Sequence, residues 1–222
     1  MLAIDRIIRS RRKTIALIVE LDGRLVLRAP LHVADDRLRE LVDRKESWIR
    51  SRQEAMRLRP AFSPPHYVEG QGFWYLGERY PLHLVDHRSP PLVFDDGFLL
   101  SRLVHPRARE LFERWYREQA RRVILKRVQY FAARHGCFYQ SLRITSARTR
   151  WGSCSTRGTL SFAWRLVMAP STVIDYVVLH ELVHLKIHNH SRKFWSKLEG
   201  LLPDYRDRKA WLDQNGHLLR LE

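Results

Sequence analysis

The stretch Tyr176-Val177-Val178-Leu179-His180-Glu181-Leu182-Val183-His184, with His190 six residues beyond it, decides how this chain is read. On an α-helix, residues four apart lie about 40° apart around the axis. The imidazoles of His180 and His184 therefore leave one face together and can hold a single zinc ion. Glu181, between them, stands beside the metal as a candidate general base. The apolar run ahead of His180 buries one side of the helix, and a rigid, dry support keeps ligand geometry fixed.

A third ligand has two candidates. His188 lies eight residues after His180, about 12 Å along an unbroken helix. Metal–nitrogen bonds of roughly 2 Å cannot span that distance. His190 reaches the metal if the helix stops near Ile187 and the chain folds back. Asn189, tolerant of left-handed backbone angles, is placed to make that turn. His190 is the choice, and His188 is read as a supporting or surface residue.

Composition frames the site. The 222 residues suffice for one large or two small domains, and 45 % of them are hydrophobic, including seven Trp. That excludes a disordered tail. Two cysteines, Cys137 and Cys154, make no disulfide framework. The basic N-terminus lacks the apolar run of a signal peptide, and no stretch reaches membrane-span length. A soluble cytoplasmic protein is expected. Forty Lys and Arg against 24 Asp and Glu leave a formal charge of +16. Such a field attracts polyanions, so non-specific nucleic-acid affinity at low salt is expected, but no nucleic-acid recognition module is present.

Period and punctuation predict an α+β fold: a β-rich part with one helix over residues 1–105, then a compact catalytic domain over 106–222. Thr14–Leu21 and Arg24–Ala29 flank Asp22-Gly23, a hairpin turn pair. A helix is expected over Asp35–Arg59, stopped by Pro60. Two further hairpins surround Gly77-Glu78 and Asp96-Gly97. A long amphipathic helix over Arg107–His135 carries Leu111, Phe112, Trp115, Val123, Ile124, Val128 and Phe131 as its stripe, with Gly136 as cap. Strands Ser141–Arg148 and Thr159–Leu166 follow, joined through Trp151-Gly152-Ser153-Cys154. Ser171 or Thr172 is expected to cap the metal-binding helix. Helices over Ser191–Glu199 and Pro203–Gln214 end at Gly200 and Asn215-Gly216.

Several of these runs together resemble the YgjP-like metallopeptidase family: Arg150-Trp151-Gly152-Ser153-Cys154, Trp164-Arg165-Leu166, Ile174-Asp175-Tyr176-Val177-Val178 and the His-Glu motif. Asn189-His190-Ser191, Phe194-Trp195 and Pro203-Asp204-Tyr205 extend the likeness. It is strong from Trp115 to Gly216. The family is similar to SprT-like and minigluzincin-type proteins, so the resemblance implies a zincin core with the HExxH motif on its active-site helix. It implies His180, His184 and His190 as Zn2+ ligands and Glu181 as catalytic acid/base. The chain departs from the pattern at Ala163, where Asn is expected before the Trp.

Three neutral imidazoles leave zinc an open position for water, which Glu181 can deprotonate as it attacks a carbonyl. The oxyanion so formed needs a donor, and Arg165, His188 and Tyr205 are the candidates. Gly152 allows either a close backbone approach beside the cleft, where an extended peptide can add as a strand, or a tight turn. Cys154 is read as an inert thiol, with nucleophile or fourth ligand as the lesser alternatives. A peptide or protein substrate is expected. The alternatives are a zinc hydrolase of a small phosphorylated substrate such as a nucleotide, and a nucleic-acid-associated module with structural zinc.

Overall fold

Short apolar runs before position 31 build the first sheet. The structure, a computed structural model, describes residues 2–20, 22–57 and 62–222. Its first strands are β1 (Arg6–Ser10), β2 (Ala16–Val19) and β3 (Leu25–Pro30). β2 and β3 form the expected antiparallel hairpin, with Ile18 opposite Val26, and Gly23 supplies the left-handed turn residue at φ +86°. β1 runs parallel to β3 on its other edge. The basic composition of residues 6–13 does not announce that strand.

The helix expected over Asp35–Arg59 is two helices, α1 (Asp35–Arg44) and α2 (Glu46–Arg57). They part at Lys45, whose φ −108°, ψ 12° leaves the helical region and whose N–H is shared between the carbonyls of Leu41 and Val42. Leu38, Val42 and Ile49 keep helical spacing across the break, so spacing alone cannot reveal it. All three pack against Leu25, Leu27 and Ala29 of β3. Trp48 is exposed instead. The stop assigned to Pro60 lies outside the described residues.

The chain divides into two compact units, Met1–Ala61 and Phe62–Glu222. The second begins with β4 (Gly72–Tyr75), β5 (Glu78–Val85), β6 (Leu92–Phe94) and β7 (Phe98–Ser101) in the order β4-β5-β7-β6. Both expected hairpins are present, and β5 also pairs in parallel with β7. This sheet shares one core with the long helix α3 (Ala108–His135): Phe73 and Phe112 stack at 4.2 Å, and Phe98 lies 4.9 Å from Phe112. The hairpins over residues 62–101, placed by their period with the N-terminal part, thus belong to the unit that carries His180, Glu181 and His184.

α3 buries Ala108, Phe112, Tyr116, Ala120, Ile124, Val128 and Ala132, one residue in four. Leu111, Trp115, Val123 and Phe131 flank that stripe half-buried, so the core face is shifted from the expected one toward the small residues. Small residues let neighbouring elements approach the helix axis closely. Gly136 ends the helix in the left-handed region at φ 57°, and the N–H of Cys137 donates back to the Ala132 carbonyl.

Beyond it, β8 (Ser141–Thr145), β9 (Gly152–Cys154) and β10 (Thr159–Ala163) form a sheet ordered β8-β10-β9, parallel on one side and antiparallel on the other. A short 3-10 helix over Trp164–Met168 then delivers the chain to α4 (Ser171–His184), followed by α5 (Arg192–Leu201) and α6 (Tyr205–Asn215). Neither Ser171 nor Thr172 caps α4. Pro170 occupies that position without a side-chain bond, and its carbonyl accepts from Val173 and Ile174. Gly200 lies inside α5 and does not stop it. Val173, Ile174, Val177, Val178, Leu179 and Leu182 bury α4 on most sides. Asp175 locks it to α3 by a two-pronged ion pair with Arg127, Nη2 to Oδ2 at 2.7 Å. No described helix is long and apolar enough to cross a membrane.

Candidate active site

The last turn of α4 carries the site. His180 and His184 leave one face of the helix, and their Nε2 atoms lie 3.2 Å apart. The helix stops at His184, and the N–H groups of Leu185, Lys186 and Ile187 fold back onto the carbonyls of Leu182 and Val183. The chain then reverses. Asn189 does not take a left-handed conformation there: its Oδ1 accepts from the Ser191 N–H at 3.2 Å, an Asx turn that leads into α5. His190 is thereby carried back over the helix, its Nε2 3.0 Å from that of His180 and 3.1 Å from that of His184.

Three nitrogens at these separations form a nearly equilateral triangle. A tetrahedral ion with bonds of roughly 2.0–2.1 Å asks for about 3.3 Å between each ligand pair, close to what is found. Protonation points the same way. His184 Nδ1 donates to the Ile187 carbonyl at 2.8 Å, so its Nε2 is a bare acceptor. Lone pairs gathered at one point repel unless a cation lies between them. Among the described residues this is the one group of three or more His, Cys, Asp or Glu placed to hold a metal ion.

Aromatic rings support the triangle. Phe194, fully buried on α5, lies 4.5–4.9 Å from all three imidazoles. Trp195 stacks on His190 at 5.6 Å, and Tyr205 stacks on Trp195 at 5.5 Å. Burial, with the positive charges of His184, His190 and Lys209, pushes His180 down to about 3. The same cause lowers His184. Neutral imidazoles are the form a metal needs.

Glu181 is 4 % exposed, and its Oε2 has no hydrogen-bond partner. Burial pushes its carboxyl up to about 8, partly offset by the Arg150 cation. A buried orphan acceptor marks a place where a further group belongs. The carboxylate packs directly on β9: a Cβ at Gly152 would stand 2.5 Å from Glu181 Oε1 and 2.7 Å from its Cγ. Gly152 therefore works by close approach, within a strand and opposite Phe162, and not by making a turn. Gly152→Ala is expected to displace the Glu181 side chain, lowering stability by about 1–3 kcal/mol and turnover with it. Thermal melting together with turnover of the purified variant checks both.

Titration of the metal-free protein follows from the same shifts. Unfolded His binds a proton below its ordinary 6.5, whereas folded His180 resists one down to about 3. Stability is therefore lost as pH falls through that window, and His184 adds to the loss. Glu181 acts oppositely. Its folded form holds a proton up to about 8 and its unfolded form only to 4.5, so stability rises as pH falls from 8. Below 6.5 the loss at His180 offsets the gain at Glu181 and the lowered His184 tips the balance, so the contribution of these three groups is greatest near pH 6.5. Urea unfolding of metal-free protein across pH 4–8 measures it.

The other residues singled out from sequence are dispersed. Arg165 donates to the Ala147 carbonyl at 2.7 Å and lies over the Trp151 ring. Its described contacts are with that loop and not with the imidazoles. His188 is exposed in the reversal before His190. Tyr205 is buried and stacks on Trp195, which in turn stacks on His190. The Cys154 thiol, raised to about 11 by burial and by the Glu181 charge, is a poor nucleophile and a poor ligand. Both cysteines are free. The sequence placed Arg150, Phe194 and Trp195 only within the family-like runs; the charge of Arg150 on Glu181 and the support from Phe194 and Trp195 emerge from the structure. A signal for Phe194 was available, since it follows His190 by four residues at the start of a helix.

Comparison with known proteins bears on the family of the chain. A YgjP-like metallopeptidase domain model matches residues 13–215. A solved structure of the metallopeptidase zymogen of Pyrococcus abyssi abylysin is similar at 22 % identity, covering 44 % of this chain and 96 % of that one with a TM-score of 0.38. No curated protein matches. With the family match running through nearly the whole length, both compact units included, the chain belongs to the YgjP-like metallopeptidase family.

Proposed function

We propose that this protein is a zinc-dependent peptidase in which His180, His184 and His190 hold the ion and Glu181 moves the proton. The observation that carries the reading is the triangle of three Nε2 atoms, 3.0–3.2 Å on a side, two of them from the same helix turn as a buried carboxyl whose Oε2 has no partner. Bound there, zinc supplies a Lewis acid that polarises a carbonyl and acidifies water. Glu181 accepts the proton of the attacking water at its free Oε2 and returns it to the leaving amine. Burial favours this role, because a poorly solvated carboxylate is more basic than one in water. Gly152, pressed against Glu181, holds that carboxylate in one place.

A peptide substrate is supported by β9. It is an edge strand, paired on one side only with β10, and it passes directly beside Glu181. An extended peptide added to its free edge runs past the catalytic carboxylate with its backbone hydrogen-bonded. A second reading, hydrolysis of a phosphorylated small molecule at the same centre, is favoured by the exposed Arg150 cation acting on Glu181. A mixed panel of peptides and nucleotides separates the two. Zinc near one per chain is expected, with turnover lost on treatment with phenanthroline and restored by added zinc. Chelator-insensitive turnover, or purified protein without zinc, overturns the reading.

A further inference from the structure

The C-terminal half of α4 lines a second cavity, of about 250 Å3, separate from the triangle of imidazoles. Its walls are the aliphatic side chains of Leu179, Leu182, Val183, Ile187 and Leu201. Leu182 stands about 200° around the helix axis from His180, so the cavity opens on another face of α4. Its rim is cationic. Lys186, Lys193 and Lys197 border it, and no lining residue is acidic. The three lysines are exposed, and none has a salt-bridge partner among the described residues.

We propose that this cavity binds a medium-chain aliphatic carboxylate, with its chain against the leucines and its headgroup among the lysines. An aliphatic lining offers an alkyl chain dispersion and burial but gives a buried polar group nothing to bond. The rim supplies charge complementarity at the mouth, where water still solvates both partners. An amphipathic helix, about 10–12 Å across with its side chains, is too wide for a cavity of this size. A dry cavity of about 150 Å3 already accepts benzene, so a flexible acyl chain is within reach of this one. The site also bears on the metal centre. Ile187, whose side chain lines the cavity, supplies the carbonyl that orients His184. An occupant packed on Ile187 therefore buttresses the turn that holds His184.

Cys137 lines the same cavity and is half-buried, which provides a reporter independent of catalysis. Full-length protein is treated with iodoacetamide in the presence of decanoate held below its micelle concentration, and alkylation is mapped by peptide mass spectrometry. The Cys137 rate is expected to fall roughly tenfold at ten times the decanoate Kd, with the Cys154 rate unchanged. Octanoate is expected to bind more weakly, by about fourfold for each methylene withdrawn. In the Lys186→Glu/Lys193→Glu double variant, decanoate protection is lost while uncharged decanol still protects. Unchanged Cys137 labelling overturns the proposal. So does faster Cys154 labelling, which would report unfolding by the amphiphile, or decanoate protection that survives the two charge reversals.

Discussion

Glu181→Gln is expected to lower turnover by about 10²–10⁴-fold while zinc stays bound at the wild-type stoichiometry. The substitution keeps the shape of the side chain, so the tight contact with Gly152 survives. It removes the one property the proposed mechanism asks of this residue, a basic oxygen able to take and return a proton. Folding stability is expected to stay the same or to rise, because a buried acidic group without a partner at Oε2 is exchanged for a neutral amide. Metal analysis, thermal melting and turnover on one preparation separate this outcome from its rival. A purely structural zinc site predicts that turnover does not depend on Glu181, whereas retained zinc and retained melting show that any loss of turnover is not loss of metal or fold.

His184→Ala carries the second large effect. It removes one of the three proposed ligands, and with it the Nδ1 bond that ties the end of α4 to the Ile187 carbonyl. Losing even a residue that only orients a ligand costs about 10–100-fold in metal affinity, and loss of the ligand itself exceeds that. Zinc is expected to leave during dialysis, and turnover to fall to background. The fold is expected to persist, because α4 is anchored by its apolar faces and by the Arg127–Asp175 pair, away from the metal. Retained zinc in His184→Ala would remove this residue from the ligand set. His188→Ala is the control, because its side chain is exposed and outside the triangle.

Much of this architecture is legible in the chain because it is local. A spacing of four along a helix brings His180 and His184 together whatever else the protein does. The hairpins at Gly23, Gly77 and Gly97 are announced by their turn residues, and α3 by its period and by Gly136. The misreadings fall where a neighbour in space decides the outcome. Lys45 breaks a helix whose apolar spacing runs on unchanged, and Pro170 holds the capping position that Ser171 or Thr172 was expected to fill. The three parallel pairings, β1 with β3, β5 with β7 and β8 with β10, join strands that are distant in sequence. No turn dipeptide signals a crossover.

The candidate site divides along the same line. Sequence alone determined which residue types could do the chemistry and which helix would carry them, because a ligand pair four apart and its adjacent carboxylate are properties of one helical turn. Tertiary structure decided the rest. It brought His190 back over α4 through an Asx turn, set Phe194 and Trp195 against the imidazoles, and laid Gly152 on Glu181. It also kept Arg165 with Trp151 and Ala147, away from those imidazoles. The reason is physical: backbone geometry sets the spacing within an element, whereas contacts between elements depend on how the whole core packs.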